Sequence, residues 1–178
     1  TYCIVPDPAN RKRYPDTETF FGMSGGFSDK VNIPAYLGVR WVYGGMGWSV
    51  IEKNRPGQFD EWVAQFRKAG KEVPGIALWK WATVKKGTEQ VPWTTYKVAT
   101  MHGVPDWALI PGTNVYASAA IKPEAEKAWS DYCRKVARLY AEVHPDCLQR
   151  VYQITWEPCY PWGFKGTDEQ LVRIYELA

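Results

Sequence analysis

Phe59, Trp62, Val63, Phe66 and Ala69 recur at the three- and four-residue spacing of one helix face. Gly70 follows at the position where a helix commonly ends in left-handed backbone. A longer stripe runs through Ala125, Trp129, Tyr132, Cys133, Val136, Tyr140 and Val143. Pro123 suits its first turn, Glu124 and Glu126 sit at the positive end of its dipole, and Pro145 stops it. Thr167-Asp168-Glu169 opens a last helix that runs to Ala178.

Between these stripes lie short apolar runs bounded by Gly and Pro, which predict strands at 17–23, 39–43, 73–81 and 148–157. A short helix is expected over 32–37. Two aromatic segments, 82–122 and 159–164, predict loops that follow strands. Residues 1–16 are rich in Pro and charge and predict an N-terminal arm, with one domain over 17–178.

Strand and helix alternate, which implies a parallel α/β sheet. The long connections follow strands and the returns are short, as in a (β/α)8 TIM barrel with its site at the carboxyl ends of the strands. The chain holds about four such βα units where a complete barrel takes about 250 residues. The expected fold is therefore the N-terminal part of a barrel, with the missing C-terminal half as a candidate partner.

Charge changes this picture little. The 22 basic and 19 acidic residues leave +3, scattered along the chain, too weak a field to argue for nucleic acid. No apolar run approaches the ~20 residues of a membrane span. Four cysteines without a CxxC pair and two histidines argue against zinc, and no glycine-rich phosphate loop is present, so no cofactor is expected. The even cysteine count and a start at Thr1 without a signal peptide suit an extracellular or secretory chain, expected here as a mature or excised fragment. The aromatic content matters more: 10 Trp, 11 Tyr and 6 Phe, many in Gly- and Pro-rich segments. An indole offers a flat apolar face with a polar edge, which matches the C–H face and hydroxyl rim of a sugar.

Candidate chemistry lies at Glu157, at the end of the run L-Q-R-V-Y-Q-I-T-W-E-P. Around it, F-F-G-M-S-G-G, L-G-V-R-W-V-Y, W-S-V-I-E-K-N-R-P-G-Q-F-D-E-W, V-P-D-W-A, D-Y-C-R-K-V-A-R-L-Y and Q-I-T-W-E-P occur in order from about Thr19 onward. In that order and spacing the chain resembles a clan A glycoside hydrolase, nearest to the family 39 retaining β-glycosidases. The resemblance implies Glu157 as general acid/base at the end of strand four. A retaining enzyme also uses a nucleophilic carboxylate about 5–5.5 Å from the acid. The family carries that glutamate on strand seven, past Ala178, so the chain alone is expected to lack normal retaining activity. Where the family has Asn before the acid/base this chain has Trp156, and where it has Arg at the end of strand two this chain has Tyr43.

Trp48, Lys80, Trp81, Trp107 and Trp162 fall in or beside post-strand segments and join Trp156 and Tyr43 as candidate substrate-binding residues. Asp106, Glu52 and Glu89 are the other carboxylates near strand ends, and none matches a nucleophile motif. Two further readings stand beside the glycosidase. One is a non-catalytic carbohydrate-binding or scaffold protein; the other is an α/β interaction domain whose aromatics are core and interface.

Overall fold

A computed structural model of the chain describes residues 22–23, 41–76, 79–86, 89–114, 118–145, 147, 150–155, 158–159 and 163–178, with 22–23 and 79–95 described as backbone. The expected N-terminal arm, the helix at 32–37 and most of the first strand lie outside them. The chain divides into two compact units, residues 1–44 with 77–98 and residues 45–76 with 99–178.

In the first unit, β1 (Gly22–Met23) pairs in parallel with β2 (Trp41–Gly45), Gly22 opposite Trp41 and Met23 opposite Val42. β3 (Trp79–Lys86) and β4 (Glu89–Thr100) form an antiparallel hairpin, and the sheet order is β1-β2-β4-β3. Trp41 is buried, with its ring 5.4 Å from that of Tyr96.

The second unit takes over the last residues of β4. Ala99 and Thr100 pair in parallel with β5 (Tyr152–Gln153). Around them stand α1 (Trp48–Ile51), α2 (Gln58–Lys68), a 3-10 turn (Pro123–Ala125), α3 (Glu126–Val143) and α4 (Asp168–Leu177). α3 buries Trp129, Tyr132, Cys133, Val136, Leu139 and Tyr140, and α2 buries Phe59 and Val63. Each fully buried side chain of this size contributes roughly 1.5–3 kcal/mol before conformational entropy is set against it. Trp48 at the centre touches three aromatic neighbours, Trp107 and Trp129 each at 5.2 Å and Tyr132 at 6.1 Å. At Gly75 a Cβ would stand 2.3 Å from the Gly45 carbonyl oxygen, so only glycine lets the 73–76 turn pack there. Buried His144, just past the end of α3, places Nε2 against the Ile76 carbonyl.

This is a small α/β fold, and the barrel expectation is corrected. The helix stripes form helices as their spacing predicts. The apolar run at 73–81 does not become a parallel barrel strand: 74–76 is a turn, and Trp79 begins the hairpin. Within the expected loop from 82, residues 82–86 and 89–100 are β-structure. β1–β2 and β4–β5 are parallel pairings of two residue pairs each, far short of four successive βα units. With the barrel falls the expectation of a missing barrel half as partner. Cys133 and Cys159 are free thiols. Among the described residues no helix is long and apolar enough to cross a membrane.

Candidate functional site

The second unit gathers three chain segments at one edge. The Met46 amide donates to the Thr100 carbonyl at 2.8 Å, Trp48 N–H to Met101 O at 3.3 Å and Ser49 N–H to Gly103 O at 3.0 Å. Partner numbers rise together, so 46–49 runs alongside 100–103 in the same direction. On the other side, Ala99 N–H donates to Val151 O at 2.9 Å and Met101 N–H to Gln153 O at 2.8 Å. The turns that follow these stretches leave at the carboxyl edge, where open α/β sheets carry their ligand sites. Gly103 has φ +92° and packs against Ser49, whose Oγ would lie 2.5 Å from a Cβ there. A side chain at that position would meet both strain and a clash.

His102 lies in this turn, half-buried. Burial holds its imidazole below the ordinary 6.5, because losing water disfavours the charged ring. A neutral imidazole at pH 7 accepts protons, a property that its loop position in the sequence did not single out.

Glu52 has a different fate from that of a catalytic carboxylate. It is 2% exposed. Oε2 accepts from Trp48 Nε1 at 2.9 Å, and Oε1 from Gly57 N–H at 2.9 Å and Phe59 N–H at 3.2 Å. Gly57 (φ +83°) is the N-cap of α2, so the carboxylate satisfies the orphan amides of that helix start and sits at its positive end. The Glu52 carbonyl accepts from Trp107 Nε1 at 2.8 Å.

The expected substrate-binding residues divide accordingly. Trp48 and Trp107 come together edge to face around Glu52. Trp48 is fully buried, which removes it as an open platform: its ring is core and its N–H is used. Trp107 is half-buried, and Asp106 beside it is exposed. Tyr43 is on β2 in the first unit, 39% exposed. Lys80 and Trp81 are on β3, opposite Thr94 and Trp93, not at the end of a parallel strand. Glu89 begins β4. Glu157, Trp156 and Trp162 lie outside the described residues. The chain reaches Thr155, a buried residue whose hydroxyl lies 2.5 Å from that of Tyr175.

Comparison of the chain with protein-family models, with curated proteins and with solved structures found no match. The glycoside hydrolase resemblance thus rests on the motifs of the sequence alone.

Proposed function

We propose that the chain is a carbohydrate-active protein of the glycoside hydrolase class, with Glu157 as its general acid/base. One observation carries the reading. β5 pairs in parallel with β4, and Trp156-Glu157-Pro158 is the sequence that follows its carboxyl end. Such edges are where α/β folds hold their chemistry. The hydrogen bond of Thr155 to Tyr175 supports it by fixing the residue from which the chain enters that sequence. A proton donor at neutral pH needs its acid form favoured, and the apolar residue types beside Glu157 suit that demand. Glu52, bound by three N–H donors, is not the second carboxylate of a retaining pair.

A second reading, carbohydrate binding without hydrolysis, has its own support in Trp107. Its indole N–H is held by the Glu52 carbonyl and its ring meets Trp48 edge to face, which makes a partly open and rigid aromatic. Such a group recognises a sugar without any catalytic acid.

Turnover of aryl β-glycosides and retention on soluble polysaccharides, measured on the wild-type chain and on Glu157→Gln, decide between them. Hydrolysis that falls roughly 10²–10⁴-fold in Glu157→Gln, with retention unchanged, assigns the first reading and overturns the expectation that this chain alone lacks normal retaining activity. Retention by both proteins with turnover by neither assigns the second reading. Neither activity in the wild type removes both.

A further inference from the structure

In the second unit, α4 and the start of α3 meet beside a small hollow. Its floor is aliphatic: Ile110, Ile121, Pro123, Ile174 and Leu177. The walls are held in place by backbone. Ile110 N–H donates to Ala120 O and Lys122 N–H to Ala108 O, each at 2.8 Å, around the Leu109–Ile121 bridge. Trp129 Nε1 donates to Ile174 O at 3.0 Å and ties α4 to α3. Ile121 and Ile174 are buried, whereas Ile110 and Leu177 are half-buried and Pro123 is exposed, so part of the apolar lining is open to a ligand. The hollow measures about 310 Å³. Sites for small molecules run from about 300 Å³ upward, so it is of a size for one compact molecule.

The rim decides what kind of molecule suits this floor. Arg173 donates from Nε and Nη2 to the two oxygens of Glu126 at 3.2 and 2.7 Å, and from Nη1 to Glu176 at 3.2 Å. Glu169 is a third carboxylate, on the same rim as Glu126 and Arg173. Hydrogen bonds from Arg173 hold Glu126 below the usual carboxylate range, and the Thr167 hydroxyl does the same for Glu169. Three carboxylates thus stand around one guanidinium. Of the cations nearby in sequence, Lys122 gives its ammonium to the Trp107 carbonyl at 3.1 Å and Lys127 gives its own to Asp131. Neither of them lines the hollow, nor does Lys165. The positive end of the α4 dipole is answered by Asp168 and Glu169 in its first turn. This excess of negative charge disfavours an anion. A sugar is ill served too: among the described residues no aromatic ring lines the hollow, and Gln170 Oε1 is taken by Thr167 N–H at 2.9 Å. An aliphatic cation fits both parts, with its carbon chain on the floor and its N–H donors at the carboxylates.

We propose that the hollow between α4 and the start of α3 binds a small aliphatic ammonium ion, with its chain on Ile110, Ile121 and Ile174 and its nitrogen at Glu169 and Glu126. The site goes beyond the carbohydrate reading and stands or falls apart from Glu157. Its carboxylates lie toward solvent, so they select for the cation modestly and in a salt-dependent way, while the apolar chain supplies most of the binding.

The test titrates the wild-type chain, isotope-labelled at its isoleucine methyl groups, with hexylammonium, hexanol and hexanoate. These probes share a chain length and differ in charge. Hexylammonium is expected to shift the methyl signals of Ile110, Ile121 and Ile174 and to leave those of the core residues Ile51 and Ile76 in place. At low salt its Kd is expected to be roughly threefold below that of hexanol, with hexanoate the weakest, and the preference is expected to fade at about 0.5 M salt. Glu169→Gln keeps the shape of the side chain and removes its charge, so it is expected to weaken hexylammonium roughly twofold and to leave hexanol unchanged. Absence of shifts with all three probes overturns the site, as do shifts at Ile51 or Ile76 in place of the three lining residues. Equal affinity for hexylammonium and hexanol, or tighter binding of hexanoate, overturns the choice of a cation. Tighter binding of a short leucine–lysine peptide than of hexylammonium also overturns the proposal, in favour of a protein partner.

Discussion

Glu52 caps α2 from outside the helix. Three N–H donors converge on one buried carboxylate, one of them from the indole at the centre of the core. Glu52→Gln keeps the shape and replaces one acceptor oxygen by a donor, so at least one N–H is left facing an N–H. Leaving a buried donor unsatisfied costs roughly 1–3 kcal/mol, and urea unfolding is expected to register a loss of that order. A variant as stable as the wild type would show that the carboxylate does not hold this loop. His102 gives a pH effect of known sign. Its pKa is lowered by burial, so below the unfolded value of 6.5 the unfolded chain takes up the proton more readily than the folded one. Stability from this residue is present above that value and is lost as pH falls through the lower folded one. His102→Gln is expected to flatten the dependence of melting temperature on pH between 7 and 5; an unchanged slope would assign it to other groups.

Helices and strands differ in how far their sequence announces them. α4 begins with a reciprocal cap: Thr167 Oγ1 accepts from Gln170 N–H at 3.3 Å, and Gln170 Oε1 accepts from Thr167 N–H at 2.9 Å. Thr167→Ala removes the cap and is expected to cost about 1 kcal/mol, seen as faster amide exchange in the first turn of α4 with α3 unaffected. That start was legible as Thr-Asp-Glu, and the α2 and α3 stripes were legible because apolar residues repeating every 3.6 positions line up only on a helix. The strands were not. The run at 73–81 holds Pro74 and Gly75 and turns before it extends. The hairpin had a signal of its own: two runs with β-branched and aromatic residues, W-K-W-A-T-V-K-K and E-Q-V-P-W-T-T-Y, separated by Gly87-Thr88. Pro92 and the long Pro-rich stretch after Thr100 argued for a loop and outweighed it. At the candidate site, a strand before Glu157 was legible, although among the described residues only Tyr152–Gln153 form it. Trp48 was not, since a tryptophan after a strand looks the same from sequence whether it faces a ligand or the core.

At the scale of the whole molecule, the barrel failed because alternation of apolar runs with helices fixes composition and not pairing. One antiparallel hairpin in place of a parallel strand is enough to end the βα series. In the second unit α3 buries six side chains against α1, α2 and α4. Amide exchange is therefore expected to be slowest in the middle of α3, around Tyr132 to Tyr140, and faster in the first turn of α4. Uniform exchange across the unit would mean that α3 is not its centre.

The Trp48 cluster has one more property. Two other indoles stand with their centroids 5.2 Å from that of Trp48, at angles of 82° and 47°. Chromophores held this close and this firmly share their excited states, and the result is a coupled band in near-ultraviolet circular dichroism. The second unit thus carries its own optical label. A substitution in the hairpin that leaves this band intact has spared the unit, whereas one that extinguishes it has dispersed the indoles, and a single spectrum tells the two apart.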